Sequence, residues 1–297
     1  MTMELVDIRI PSGTVSVAET GRGRPLLYLH GIADIHAAAT DWLPFHAALA
    51  RSFRLIAPAH PGCAATHENE EINDIHDLEF HYLEVLDALG LKKVDIVGAC
   101  LGGWIAAELA ARNPERVGRL VLIGASGLYV PDQPIGDLFW ESQAQNGIEY
   151  PGLRHLLFAS ADAPVGIALL PDGRRDLERG VSFYKAMRLA SRVGFKPPYF
   201  YDRLLGARLH RFSGDSLLMW GEHDHMVPRS HAAAYKASLG GKARVSIIKS
   251  AGHSAHLEKP ELCARQIAAF LAPSPAGAAT RKKVTKRAPK RVQRRAR

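Results

Sequence analysis

Cys100 stands in a run of small residues that marks the most chemically informative point of this chain. The run reads Gly-Ala-Cys-Leu-Gly-Gly over 98–103, between an apolar stretch at 94–97 and a helix-like stretch at 104–111. This strand–turn–helix order is the setting of a nucleophile elbow, where a sharp turn holds a reactive side chain in a strained backbone conformation. Small neighbours prevent a clash at such a turn. The pattern therefore predicts that Cys100 is a nucleophile.

Three further groups follow apolar stretches in the same way. Asp224 lies just beyond the stretch at 216–220, His253 just beyond the one at 244–248, and His30-Gly31-Ile32 closes another. In open α/β sheets, reactive groups collect at the carboxyl ends of the strands. We therefore expect these positions to lie at the same edge of one sheet as Cys100.

These residue types suit nucleophilic acyl chemistry. Only the thiolate form of a cysteine attacks, and a neighbouring imidazole or a helix N-terminus favours that form. A carboxylate beside the imidazole sets its tautomer and stabilises its protonated state. Backbone N–H groups stabilise the oxyanion that forms on the attacked carbonyl. The non-catalytic alternative is that Cys100 is simply a buried apolar residue, as most unpaired cysteines are.

The elements that must position these groups alternate along the chain. Apolar patterns predict a hairpin at its start and helices at 75–89, from the turn to about 113, at 230–239 and at 258–271. Strands alternating with helices indicate a mostly parallel sheet with helices on both faces. The eight predicted strands are 5–10, 14–19, 25–30, 53–58, 94–97, 119–123, 216–220 and 244–248.

The alternation of strands and helices stops between 129 and 211, where only helical patterns appear, at 135–143 and 175–190. We interpret 129–211 as an inserted helical cap, with 1–128 and 212–272 as the two parts of the core. After 272, Pro, Ala, Lys and Arg dominate, and such a composition cannot form a core. The segment 273–297 is therefore predicted to be a disordered basic tail.

Composition describes an ordinary globular protein with an unusual end. The chain has 297 residues, of which 47% are hydrophobic and 23% charged, and its formal net charge is +8. Ten of its 38 basic residues lie in 281–297, which contains no acidic residue, so the rest carries 28 basic against 30 acidic residues. Any contact with polyanions is thus predicted to be made by the tail and not by the rest of the chain. The alternative is a solubilising extension.

Three cysteines, Cys63, Cys100 and Cys263, are too few and too far apart for a disulfide framework, which favours a reducing compartment. The N-terminus shows no signal-peptide pattern, and no apolar run reaches the roughly 20 residues that span a bilayer. We therefore expect a cytoplasmic protein without a transmembrane segment. His223 and His225 resemble a metal pair but have no evident third ligand, so we expect no metal.

Taken together, the motifs resemble the α/β-hydrolase-fold family, in its capped group of carbon–carbon bond hydrolases, lactonases and esterases, over about 5–271. The resemblance implies an eight-stranded mostly parallel sheet with an inserted helical cap. It implies that Cys100 replaces the usual serine nucleophile, that His253 is the base and later the acid, and that Asp224 orients His253. The N–H groups of Ile32 and Leu101 would form the oxyanion hole. No cofactor is implied.

A cysteine nucleophile limits the classes of reaction that the site can catalyse. Alkylated cysteine is a thioether that water cannot cleave, whereas acyl-cysteine is a thioester that water or another acceptor can attack. The leading hypothesis is hydrolysis of an ester, lactone or thioester of a small apolar substrate. The alternatives are an acyltransferase using the same intermediate and a ligand-binding member without turnover. The carbon–carbon hydrolases typically carry an asparagine before the nucleophile and an aromatic residue shortly after the histidine. This chain has Ala99 before Cys100, and Ser254, Ala255 and His256 after His253.

Overall fold

Eight strands form one sheet in the order β1-β2-β4-β3-β5-β6-β7-β8. The structure is a computed structural model that describes residues 4–34, 42–143, 150–172 and 177–273. β1 and β2 form an antiparallel hairpin, β2 pairs antiparallel with β4, and all later pairings are parallel. The predicted fold class is therefore confirmed. The strands are β1 Glu4–Ile10, β2 Gly13–Thr20, β3 Pro25–Leu29, β4 Arg54–Pro58, β5 Val94–Ala99, β6 Val117–Ile123, β7 Ser216–Gly221 and β8 Ala243–Ile248.

Helices of the core cover both faces of the sheet. α1 and α11 pack together on one face, and α2, α3 and α9 contribute to the apolar cluster on the other. α2 begins at a capping box formed by Asp74 and Asp77, which satisfies backbone N–H groups of its first turn. The core helices are α1 Pro44–Ala50, α2 Ile75–Ala88, α3 Leu101–Arg112, α9 Ser230–Leu239, α10 Ala255–Glu258 and α11 Pro260–Phe270.

Between β6 and β7 the described residues form helices and loops, with a single isolated bridge from Gly127 to Tyr201. The helices of this segment are α4 Leu138–Glu141, α5 Pro151–Leu157, α6 Pro164–Leu169, α7 Leu177–Gly194, α8 Leu205–Arg208 and a 3₁₀ turn, Leu209–Arg211. The segment is the one predicted as a cap. The division into core and cap stays a prediction.

Some element predictions were wrong in detail. The predicted last helix, at 258–271, corresponds to α11, which begins two residues later at Pro260, and the short α10 before it, ending at Glu258, was not predicted. The predicted helix at 135–143 is reduced to one short turn, α4. The predicted basic tail lies, from 274 onward, outside the described residues. None of the described helices combines the length and apolarity needed to cross a bilayer.

Candidate active site

Cys100 occupies the turn that joins β5 to α3. Its backbone has φ 51° and ψ −116°, a conformation that a residue with a Cβ rarely adopts without a functional reason. The turn is held on both sides, because the Cys100 N–H donates to the Ile123 carbonyl at 3.0 Å and the Trp104 N–H donates to the Cys100 carbonyl at 3.1 Å. The structure therefore has the strained strand–turn–helix geometry that the motif predicts.

The small residues around Cys100 are required by close backbone contacts. A Cβ on Gly98 would lie 2.3 Å from the Gly102 carbonyl oxygen, and a Cβ on Gly102 would lie 2.1 Å from the Leu29 carbonyl oxygen. Any larger side chain would separate α3 from β3 and β5. The glycines thus place the N-terminus of α3, with its partial positive charge, directly after Cys100.

His253 and Asp224 form a buried hydrogen-bonded pair. His253 Nδ1 lies 3.1 Å from Oδ1 and 3.0 Å from Oδ2 of Asp224. Asp224 Oδ1 also accepts the N–H groups of Met226, at 3.0 Å, and Val227, at 2.7 Å. The carboxylate is therefore fixed by its own loop, and it sets the orientation of the imidazole.

Charge around His253 favours the protonated imidazole. Burial lowers the pKa of His253, but the charges of Asp224 and Cys100 and the hydrogen bond to Asp224 outweigh burial, so the pKa is well above its ordinary 6.5. Nε2 is buried and forms no hydrogen bond of good geometry within the described chain. The ring therefore has one nitrogen held by Asp224 and the other available to Cys100 or to a substrate.

The loop that carries His253 is anchored to the C-terminal end of α5 and to the residues just after it. The Ser254 N–H donates to the Leu157 carbonyl at 2.8 Å. Glu258 accepts two further backbone N–H groups, from Gly252 at 2.6 Å and from Ala159 at 3.1 Å. Glu258 thus fixes the loop without facing the reacting atoms.

The N–H groups predicted for an oxyanion hole lie beside Cys100. Ile32 follows β3 and Leu101 is the first residue of α3, and both are buried. Neither N–H donates to another described residue. A Cβ on Gly31 would lie 3.0 Å from the Cys100 Cβ, so this loop packs directly against the nucleophile. A cavity with only about 10 Å³ of free space reaches Cys100, Ile32 and His253.

A second buried pair, Asp34 and His256, also lines this cavity and was missed by the sequence analysis. His256 Nε2 lies 3.3 Å from Asp34 Oδ2. Burial raises the pKa of Asp34, but the hydrogen bond and charge of His256, with the charges of His30 and His46, outweigh it and hold the pKa well below its usual range. The available signal was the position of Asp34, which lies in the loop that follows β3, as Asp224 lies in the loop that follows β7.

One group of potential metal ligands occurs elsewhere in the described chain. His76, Glu108 and Asp202 place one ligand atom each within 4.8 Å of one another. Arg112 already hydrogen-bonds His76 Nδ1 at 3.1 Å, and Arg208 donates to Asp202 at 2.9 Å. Two guanidinium groups therefore already contact two of these three side chains.

Comparisons with known proteins match most of the chain to one fold family and to several hydrolases. The profile of the family described as the alpha/beta hydrolase fold matches residues 24–260. The chain is 28% identical, over 265 residues, to the 2-hydroxymuconate semialdehyde hydrolase of Pseudomonas sp. strain CF600, covering 88% of this chain and 91% of that protein. It is 26% identical, over 300 residues, to monoacylglycerol lipase abhd6-A of Xenopus laevis, covering 87% of this chain and 80% of the lipase.

Among solved structures, the meta-cleavage product hydrolase CumD of Pseudomonas fluorescens IP01, as a point mutant complexed with acetates, is similar in fold. It superposes with a TM-score of 0.72 at 23% identity, over 89% of this chain and 96% of that one. At this identity the likeness concerns the fold alone.

Proposed function

Since this chain belongs to the α/β-hydrolase-fold family, we propose that it hydrolyses an ester, lactone or thioester of a small apolar substrate through an acyl-Cys100 intermediate. The observation that carries the proposal is the strained turn at Cys100, with φ 51° and ψ −116°, beside the buried His253–Asp224 pair. Leu157 and Ile123 line the adjoining cavity and supply apolar surface.

In the proposed acylation, the Cys100 proton passes to His253 Nε2 before the attack, as the raised pKa of His253 favours, and the resulting thiolate attacks the substrate carbonyl. The oxyanion of the tetrahedral intermediate accepts the N–H groups of Ile32 and Leu101. The carbon–oxygen or carbon–sulfur bond then breaks, and His253 returns the proton to the leaving group. Asp224 stabilises the imidazolium that exists between these two transfers.

In the proposed deacylation, His253 takes a proton from water while the water oxygen attacks the thioester. The second tetrahedral intermediate collapses by breaking its bond to sulfur, which releases the carboxylic acid. The proton that His253 took from water stays on its ring, and its positive charge pairs with the Cys100 thiolate that has been released. An alcohol or amine in place of water would give acyl transfer by the same steps.

A pulse of p-nitrophenyl acetate followed by intact and peptide mass spectrometry tests the proposal. We expect one acetyl group on Cys100, and we expect Cys100→Ala to abolish turnover. Cys263→Ala is the matched control, because burial raises the pKa of the Cys263 thiol to about 12 and should keep it unreactive. Wild-type turnover in Cys100→Ala would refute the proposal. If added ethanol released the acetyl group from Cys100 faster than water does, the protein would be a transferase.

The names of two similar proteins favour a second candidate, hydrolysis of a meta-cleavage product such as 2-hydroxymuconate semialdehyde. Ala99 and Ser254 stand where the carbon–carbon hydrolases typically carry other residues, and this difference favours hydrolysis of an ester over cleavage of a carbon–carbon bond. Spectroscopic assay of both substrate types decides between them. A higher kcat/KM for the semialdehyde than for short p-nitrophenyl esters would select the second candidate.

A further inference from the structure

Asp34 connects the loop behind Cys100 to two other elements of the fold. Its Oδ1 accepts the Gly31 N–H at 2.7 Å. Its Oδ2 accepts the hydroxyl of Tyr28 on β3 and lies 3.3 Å from Nε2 of His256 on α10. Asp34, Tyr28 and His256 are all nearly inaccessible to solvent, so these hydrogen bonds do not compete with water.

The Gly31 hydrogen bond decides which N–H groups of the loop are available. With the Gly31 N–H committed to Asp34, the next donor along the chain is the N–H of Ile32. A side chain at Gly31 would be crowded from both sides, because a Cβ there would lie 3.0 Å from the Cys100 Cβ and 3.1 Å from Asp34 Oδ1. Gly31 is thus enclosed between the nucleophile and the carboxylate.

The other oxygen of Asp34 reaches the segment that carries His253. His256 lies three residues beyond His253, and α10, which contains it, begins at Ala255. One buried carboxylate therefore contacts both the loop of Ile32 and the helical turn that follows His253. Asp34 thus links the backbone that carries the Ile32 N–H to the helical turn next to His253.

We propose that Asp34 is a positioning residue that holds the loop 31–34 so that the Ile32 N–H faces the carbonyl attacked by Cys100. This inference rests on the proposed acyl-Cys100 function. It assigns to Asp34 no contact with the substrate. Its effect is confined to steps in which an oxyanion forms.

The test compares two reactions of Cys100, since only one of them makes an oxyanion. Acylation by p-nitrophenyl acetate passes through a tetrahedral oxyanion, whereas alkylation by iodoacetamide displaces iodide directly. For Asp34→Ala we expect acylation to slow about 100-fold, the effect of losing one oxyanion donor, with alkylation at the wild-type rate. Asp162→Ala is the control, because it removes a carboxylate at an exposed position that does not line the cavity, and it should acylate as the wild type does.

Asp34→Asn keeps the test decisive if the alanine variant does not fold. One amide oxygen cannot satisfy all three donors around Asp34, so the ratio of acylation to alkylation should fall by about 10-fold, part of the full effect. An unchanged ratio in the folded variant overturns the inference, as does an equal loss in both reactions. Failure of the proposed function has a different signature, in which wild-type Cys100 is alkylated but never acylated.

Discussion

The imidazole of His253 lies 3.0 Å from the carboxylate of Asp224, and their side chains retain only 3% and 0% of their exposure. These residues come from different loops, one after β7 and one after β8, which the parallel pairing of these strands brings together. Within this buried pair the carboxylate holds a single ring orientation, with Nε2 turned away from it. Removing its charge should therefore affect catalysis more than folding.

We expect Asp224→Asn to lower kcat by up to about 10⁴-fold, as amide replacement does in Ser-His-Asp sites, where it imposes the wrong tautomer on the histidine. KM for a p-nitrophenyl ester should change little. Asp162→Asn, at an exposed position, is the control and should be fully active. A kcat for Asp224→Asn close to wild type would show that Asp224 does not orient the base.

The same variant should alter the pH dependence of stability. The pKa of His253 in the folded protein is well above 6.5, so folding favours the protonated ring. Its stabilising contribution is complete below pH 6.5 and is lost as pH rises through the raised pKa. Urea denaturation across that range should show the free energy of unfolding falling more steeply for wild type than for Asp224→Asn. Parallel profiles would contradict the assigned charge state.

Glu108 provides a prediction about α3, the helix that follows the nucleophile. Burial, followed by the charge of Asp202, raises its pKa from 4.5 to about 8, and its Oε2 is buried without a hydrogen-bond partner in the described chain. The folded protein thus keeps a proton that the unfolded chain loses, and this group makes stability fall between pH 4.5 and about 8.

Glu108→Gln removes that dependence while keeping an oxygen for the Trp104 indole N–H, which donates to Oε1 at 3.0 Å. At pH 8 we expect the variant to be more stable than wild type by a few kcal/mol. At pH 4 the two should be alike. Thermal and urea unfolding at both pH values check this, and a variant that is less stable at pH 8 would disprove it.

Gly124 should be intolerant of a side chain because of its contact with His253. Its φ is +50°, and a Cβ there would lie 2.9 Å from His253 Nδ1. Gly124→Ala should displace the ring from Asp224 and reduce kcat on the order of 10²-fold. Gly240→Ala is the control for backbone strain alone. Gly240 also has a positive φ, +81°, but a Cβ there would meet nothing within 4 Å. If both variants lose activity equally, strain and not the contact is responsible.

The basic residues of 281–297 yield a prediction independent of the site. We propose that this segment binds polyanions through charge alone, with affinity that falls steeply as salt concentration rises. Deletion of 281–297 should abolish retention on a heparin column and leave kcat unchanged. Retention of the truncated chain would place polyanion binding in the body, whose charges nearly balance.

Much of the fold was predictable because its signals are local. The apolar runs, the turn at Gly90 with φ +65° and the small residues around Cys100 each specify structure over a few positions. Helices α1, α5 and α6 were not predicted, because they have 7, 7 and 6 residues and show no sustained periodicity. Each begins with a proline, which by itself is equally consistent with a loop.

The sequence by itself determined the sheet, the order of nucleophile, acid and histidine along the chain, and the strained turn that presents Cys100. Only the tertiary structure showed that Asp34 and His256, 222 positions apart, meet beneath the same cavity, and that Gly124 supports His253. The physical reason is that residue spacing encodes local backbone geometry. Contacts between distant loops depend on which strands are neighbours and on how closely their ends pack, and no local pattern records either.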